Sequence, residues 1–386
     1  MIRNLFLLLL MMMTLAASAQ KRWRDQVIND MRPAILERAA WAAAQAPETI
    51  TAFRCNRSAG GIHDFYSEGD YWWPNPVSVD SPYIQKDGQS NPDNFVAHRQ
   101  AMIRFSRIMG ALAAGYMASQ DKTYLEHALL HAKAWFADPA TRMNPSLQFA
   151  QAIKGRATGR GIGIIDTIQL MEVVQALKIM EKAGIIPAAD LEAIRSWFEE
   201  YLQWLTTHPY GKDEMKAANN HGTCWVMQVA VFASFTHNDS LLTFCTDRYK
   251  NVLLPAQMAA DGSFPLELKR TKPYGYSLFN LDAMSTLCQV LSKPGDNLWA
   301  YTLEKTKSIA KGISWMYPFV KDKNNWPFAH DIMYWENWPV AHPFLIFGAV
   351  AYNKKEYYQT WLRLDHDPQV EEVLRNLPVR NPLIWL

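Results

Sequence analysis

Apolar residues spaced three and four apart recur along most of the chain, the spacing that puts them on one face of a helix. The pattern predicts helices over roughly 25–45, 97–119, 123–137, 163–184, 187–206, 221–236, 239–256, 278–292, 297–313 and 328–349. In the first of these, Pro33 is expected to bend or restart the helix. Val and Ile do not gather into alternating runs, so strands should be few. Residues 53–95 hold no sustained period and are rich in Gly, Pro, Asp and Asn. An irregular stretch of that length inside a compact domain usually serves a site, as a lid or binding loop. No shift in composition marks a second domain.

Serial helices of similar length can build a solenoid, a large bundle or an α/α toroid of helical hairpins. Solenoids carry a repeat of fixed period, and none is visible. The expected fold is therefore all-α, an incomplete α/α toroid with long aromatic loops over a central cleft. The loops favour this choice: FYSEGDYWWPNP, KPYGYSLFN, WMYPF, NNWPF and MYWENWP place rings among polar residues and prolines. Flat rings beside polar groups suit the C–H faces of sugars, although Trp-Pro contacts also pin loops in ordinary helical proteins.

The first twenty residues change the picture of location. Arg3, the apolar run Leu5–Leu15 and Ala17-Ser18-Ala19 read as a signal peptide over residues 1–19, too short to span a bilayer. A single domain over 20–386, exported and periplasmic without a membrane anchor, is the expectation. With 39 basic and 37 acidic residues and a formal net charge of +2, nothing supports general affinity for nucleic acid. Cys55, Cys224, Cys245 and Cys288 form no CxxC pair and read as free thiols, or at most one disulfide. No cluster of metal ligands appears, and neither metal nor cofactor is expected.

Three segments concentrate chemistry. KDEMKAANNHGTCW sets Asn219, Asn220 and His221 before a long apolar helix. A helix cap accounts for one asparagine but not for all three residues. DGSFPLELKRTKPYGYSLFNLDA carries Arg270 and Tyr276, six apart across a turn. Arg270 can grip a carboxylate through two parallel hydrogen bonds, or it can simply pair with Glu267 or Asp282. NPSLQFAQAIKGRATGRGIGIID holds Gln151, Arg156 and Arg160. Its GRGIG is a weak match to a phosphate loop, lacking both the Lys-Ser/Thr ending and a preceding strand.

NNHGT followed by DGSFPLELKRT and YSLFNLDA resembles the alginate lyase superfamily of polysaccharide lyases, which includes mannuronate and glucuronan lyases. GDYWWPNP, PYIQKDGQSNP and the Gln151–Arg160 segment extend the likeness over residues 64–338. The resemblance implies the α/α toroid and cleavage of an anionic uronate polysaccharide by β-elimination. It carries a carboxylate-neutralising pair onto Asn220 and His221, an arginine onto Arg270 and a catalytic tyrosine onto Tyr276. In the mannuronate branch the arginine and tyrosine stand one residue further apart, so the polymer is left open between mannuronate-type alginate and glucuronan.

These residue types suit that reaction. Neutralising the uronate carboxylate stabilises the enolate-like intermediate formed when H5 leaves, and Tyr276 beside a cation should have its pKa lowered enough to act as base and acid. For guluronate, where H5 and O4 lie on opposite faces, His221 is the candidate second base. Tyr71, Trp72, Trp73, Tyr274 and Trp335 are the candidate sugar-stacking rings, with Gln151, Arg156 and Asn219 as further substrate contacts. A glycoside hydrolase on the same fold would need a carboxylate pair from Asp64, Glu68, Asp70, Glu214 and Glu336. A non-catalytic polysaccharide-binding protein is the third reading.

Overall fold

The computed structural model describes residues 2–78 and 80–386, with side chains from residue 21 onward. The expected leader, residues 1–19, falls outside the side chains described. Helix α1 (Ile2–Ala43) runs through Pro33 without a break in its assignment. Then come the short strands β1 (Tyr66–Glu68), β2 (Trp72–Trp73) and β3 (Ile84–Gln85). Helices α2 (Ala97–Ser119) and α3 (Thr123–Phe136) follow, with β4 (Phe149–Ala152) after them. The next helices are α4 (Leu170–Lys182), α5 (Ala188–Thr207), α6 (Pro209–Lys216), α7 (Asn220–Phe235) and α8 (Asp239–Arg248). Two four-residue helices, α9 (Leu254–Gln257) and α10 (Pro265–Leu268), lead into α11 (Pro273–Leu291). The chain closes with α12 (Ile309–Lys321), α13 (Pro343–Tyr352), α14 (Lys355–Arg363) and α15 (Glu371–Arg375).

The fold is an α/α toroid. Helices α2, α4, α7, α11 and α13 pack successively as an inner row, and α3, α5, α8, α12 and α14 lie against them outside. Burial follows this division. Every residue of α11 from Pro273 to Cys288 is buried, and α7 is buried on all sides, as a helix apolar all round must be. The outer α14 buries only Tyr357, Tyr358, Thr360 and Trp361. Strands are few, as expected: β1 pairs with β4 in parallel and β2 with β3 antiparallel. The β1–β4 ladder fastens the irregular 53–95 region to the segment before α4, and β2–β3 braces that region internally.

Several helix boundaries differ from the sequence pattern. Helix α4 begins at Leu170 after a 3-10 stretch, and α6, α14 and α15 were not expected. Helix α11 starts five residues early because Pro273, at its N1 position, has no N–H to leave unsatisfied. Residues 297–308 are turns, with a bridge between Leu303 and Lys307, and the helix begins only after the Ser308 cap. Of the helix expected over 328–349, residues 328–342 are loop and only Pro343 onward is α-helical, since Pro339 and Pro343 interrupt the apolar spacing. All four cysteines are free thiols.

Candidate active site

Asn219 caps α7, its Oδ1 accepting from the His221 N–H at 3.3 Å. That places Asn220 and His221 in the first turn, with Gly222 beside them where the Ala217 carbonyl leaves no room for a Cβ. Asn220 is held at two points by Glu267: its backbone N–H and its side-chain amide each donate to one carboxylate oxygen at 2.8 Å. Burial raises the Glu267 carboxyl above the ordinary range, against the pull of the Asn220 hydrogen bonds. His221 Nδ1 lies 2.6 Å from the buried Glu214 carboxylate. This hydrogen bond fixes the ring and leaves Nε2 as the nitrogen for other partners.

Arg270 and Tyr276 sit on either side of the α11 N-terminus. Asp331, from the 322–342 loop, caps that terminus by accepting from the Tyr274 and Gly275 N–H groups at 2.8 and 2.9 Å. The Arg270 guanidinium lies over the Tyr276 ring, 4.4 Å from its centroid, with Nη2 3.4 Å from the hydroxyl. The ion partner of Arg270 is neither Glu267 nor Asp282 but Asp87, at 2.9 Å, in the long irregular region. Thr271 also donates to Asp87, at 3.0 Å. Gly88 follows at φ +74°, pressed so close to Thr271 that a side chain would collide.

The four residues line one narrow pocket of about 90 Å³, together with Asp70, Tyr71, Trp72, Gln151, Arg160 and Arg375. The Tyr276 hydroxyl meets the Tyr71 hydroxyl at 2.8 Å. Its pKa is not lowered, as the sequence suggested, but raised well above the ordinary value. Burial is the main cause and Tyr71 adds to it, while Lys272 and Arg270 pull the other way. Lys272 lies 5.0 Å from the Tyr71 ring and 5.3 Å from that of Tyr276.

Beneath the pocket runs a buried ionic network. Asp70 pairs with Arg99 at 2.6 Å and Arg375 at 2.9 Å. Arg99 also reaches Asp166 at 3.7 Å, Arg375 reaches Glu372 at 3.3 Å, and Glu372 binds Lys272. Despite burial, these arginines bring the Asp70 carboxyl down to about 2. The network joins the irregular region, α2, the lead-in to α11 and α15 into one support for the site.

Not every expected substrate contact faces this pocket. Tyr274 is fully buried, donating to the Phe319 carbonyl at 3.0 Å and packing against Trp326 and Trp335. It is a core residue because the first turn of α11 rotates it away from Tyr276. Trp335 is stacked on His330 at 3.9 Å and belongs to the same aromatic cluster. Trp73 donates to the Gln89 carbonyl, and Lys86 lies over its ring. Tyr71 contributes its hydroxyl more than an open face. Trp72 does line the pocket, but Arg156 and Arg160 both lie over it, at 5.2 and 5.7 Å. Arg156 itself lines a neighbouring cavity of about 770 Å³ with Arg57, Lys154 and Tyr210. Gln151, at φ +49°, accepts from Arg160 through both its carbonyl and its side-chain oxygen.

The sequence pattern does not point to Asp87, Arg375 or Lys272, and it offers Glu267 only as a partner for Arg270 and Glu214 only as a hydrolase acid. The carboxylates proposed for a hydrolase are otherwise engaged: Glu68 with Arg57, Asp70 in the network, Asp64 with Asn144, and Glu336 with Lys323 at the surface. Among the described residues no helix is long and apolar enough to cross a membrane.

A family model described as alginate lyase matches residues 49–326, which hold most of the pocket. The chain belongs to the alginate lyase family. It is a polysaccharide lyase. Among solved structures, an alginate lyase from Bacteroides ovatus is 28% identical, covers 96% of this chain and 97% of its own, and superposes with a TM-score of 0.80. Alginate lyase A1-III from Sphingomonas species A1 is 15% identical over 91% of this chain and 94% of its own, with a TM-score of 0.56. A variant of alginate lyase A1-III complexed with tetrasaccharide gives 16% identity, the same coverages and a TM-score of 0.58. At that identity the A1-III likenesses bear on the fold alone. Among curated proteins none matches this lyase.

Proposed function

We propose that this lyase cleaves a uronic-acid polysaccharide, glucuronan or mannuronate-type alginate, by β-elimination after export to the periplasm. Asn220, His221 and Arg270 bind and neutralise the carboxylate of the sugar whose C5 proton is removed. Tyr276 takes that proton, the C4–O4 bond breaks as the C4–C5 double bond forms, and the tyrosine proton passes to the departing O4. In glucuronate and mannuronate H5 and O4 share a face, so one hydroxyl serves both steps. What supports this reading is the convergence of an arginine, an amide and an imidazole on the pocket that the Tyr276 hydroxyl enters. The raised pKa of Tyr276 means that its phenolate depends on Arg270 and Lys272, which stand where the negative charge would form.

Arg270 gives Nε and Nη2 to Asp87, so a substrate carboxylate that takes the same two-point grip displaces Asp87. Substrate entry and the docking of the irregular region are in this way coupled. The test is an absorbance screen for unsaturated ends on glucuronan, polymannuronate, polyguluronate and glycosaminoglycans. Unsaturated product from one of the first two supports the proposal. Product from polyguluronate alone would overturn the single-tyrosine scheme and shift the base to His221.

A further inference from the structure

A further cavity, of about 410 Å³, opens between α1, α2 and the segment 366–381, lined by residues apart from those of the candidate catalytic pocket. Three arginines from three parts of the chain meet there: Arg38, Arg107 and Arg380. Arg107 pairs with Asp367 at 2.9 Å. Arg38 makes no ion pair among the described residues, and its Nη1 donates only to the His366 carbonyl, at 3.0 Å. The Arg380 side chain is 6% exposed. Its terminal nitrogens already donate to Ser106, Gln169 and the Leu374 carbonyl, so they add positive charge rather than free donors. Its nearest carboxylate, Glu172, is 3.8 Å away. Burial raises that carboxyl to about 7, so near neutrality it supplies only part of a countercharge. The Nε atoms of Arg38 and Arg380, His366 Nε2 and Glu172 Oε2 are all buried without a hydrogen-bond partner. Buried polar groups left unpaired in one neighbourhood are uncommon and call for an explanation.

The rim adds a different kind of group. Trp41 is 39% exposed and lies with Arg107 over its ring at 5.3 Å. Glu37 and Asp367 line the same cavity as hydrogen-bond acceptors. The Arg38 guanidinium, without an ion pair among the described residues, suits a carboxylate. Glu37 for hydroxyls and the exposed part of the Trp41 ring not covered by Arg107 for a C–H face complete a set that fits an acidic sugar. A bare oxyanion would use the arginines alone and be repelled by the two carboxylates. The volume falls within the range of small-molecule sites.

We propose that this cavity is a second binding site for a uronate-bearing sugar, distinct from the catalytic pocket. The choice of a uronate among carboxylate ligands rests on the function proposed above. The test follows the NMR signal of the Trp41 indole N–H, assigned with Trp41→Phe, during titration with glucuronate. A saturable shift is expected in wild type and equally in Tyr276→Phe. Arg107→Gln should weaken it at least fivefold while leaving turnover unchanged. Arg38→Gln should weaken it further if it folds, and the rim variant decides the matter if it does not. No shift with glucuronate, an equal shift with glucose, or a shift with inorganic phosphate alone would each overturn the assignment. Because the signal is read at Trp41, failure of the polymer screen leaves this outcome independent.

Discussion

Glu267 binds Asn220 twice, one carboxylate oxygen to the backbone N–H and the other to the side-chain amide, each at 2.8 Å. The amide that faces the pocket is therefore aimed by a carboxylate three residues before Arg270, on α10. Glu267→Gln replaces one acceptor with a donor and sets two amide N–H groups against each other. A buried hydrogen bond lost in this way costs about 1–3 kcal/mol, or roughly a ten- to hundredfold drop in kcat/KM. Steady-state kinetics beside a denaturation curve checks this. An equal loss of stability with unchanged kinetics would show that the contact serves only the fold.

Tyr276→Phe should lower kcat by about 10²–10⁴-fold, the usual contribution of a general acid or base, while polymer binding persists. The raised pKa adds a second expectation. A base that must ionise acts only above its pKa, so kcat/KM should climb with pH through the alkaline range rather than level off near neutrality. Lys272 is one of the two cations that lower this pKa. The paired change Lys272→Met with Glu372→Gln removes it without stranding a buried charge, and should move the limb to higher pH. A profile that is flat above pH 7 would argue against Tyr276 as the base.

In the proposed scheme Asp87 competes with substrate for Arg270. The pair is partly exposed, at 28% and 34%, and such pairs are worth about 1 kcal/mol or less. Asp87→Asn should therefore lower KM by up to about fivefold and leave kcat near wild type. A rise in KM would mean that Asp87 is needed to seat the irregular region around substrate.

Glu172 links stability to pH. Its carboxyl is raised to about 7 in the folded protein, from an ordinary value of 4.5. Between these values the folded state holds more protons than the unfolded one, so stability falls as pH rises through this window. The loss is about 3 kcal/mol at most. Glu172→Gln should flatten this part of the stability–pH curve, as measured by urea denaturation at pH 5 and pH 8.

The helical architecture was legible because an inner helix of a toroid must be apolar all round and an outer one apolar on a stripe. Both patterns survive in the sequence of α7 and α5, whereas the pattern gave no helix for α14 or α15. The Asn220, His221, Arg270 and Tyr276 group was legible because short motifs kept those residues at helix starts. Their supports were not. Asp87 and Arg270 are 183 residues apart, and no spacing rule spans such a distance. Glu267 stood in plain view beside Arg270, yet it reads as a partner for arginine, whereas the fold turns it toward Asn220. Tyr274 was misjudged because a ring two positions before a pocket residue on a helix points to a different face. The pKa of Tyr276 depends on how deeply α11 is buried, which local sequence does not record.

Arg375 and Glu372 lie on α15, well beyond residue 326, and yet they tie down Asp70 and Lys272 at the pocket floor. The working centre thus draws on residues 70 through 376. During synthesis, a nascent chain that has made every candidate catalytic side chain by residue 276 still lacks the ions that hold them in place. Those ion pairs form only once α15 has been made, so the pocket is assembled when nearly the whole chain is complete.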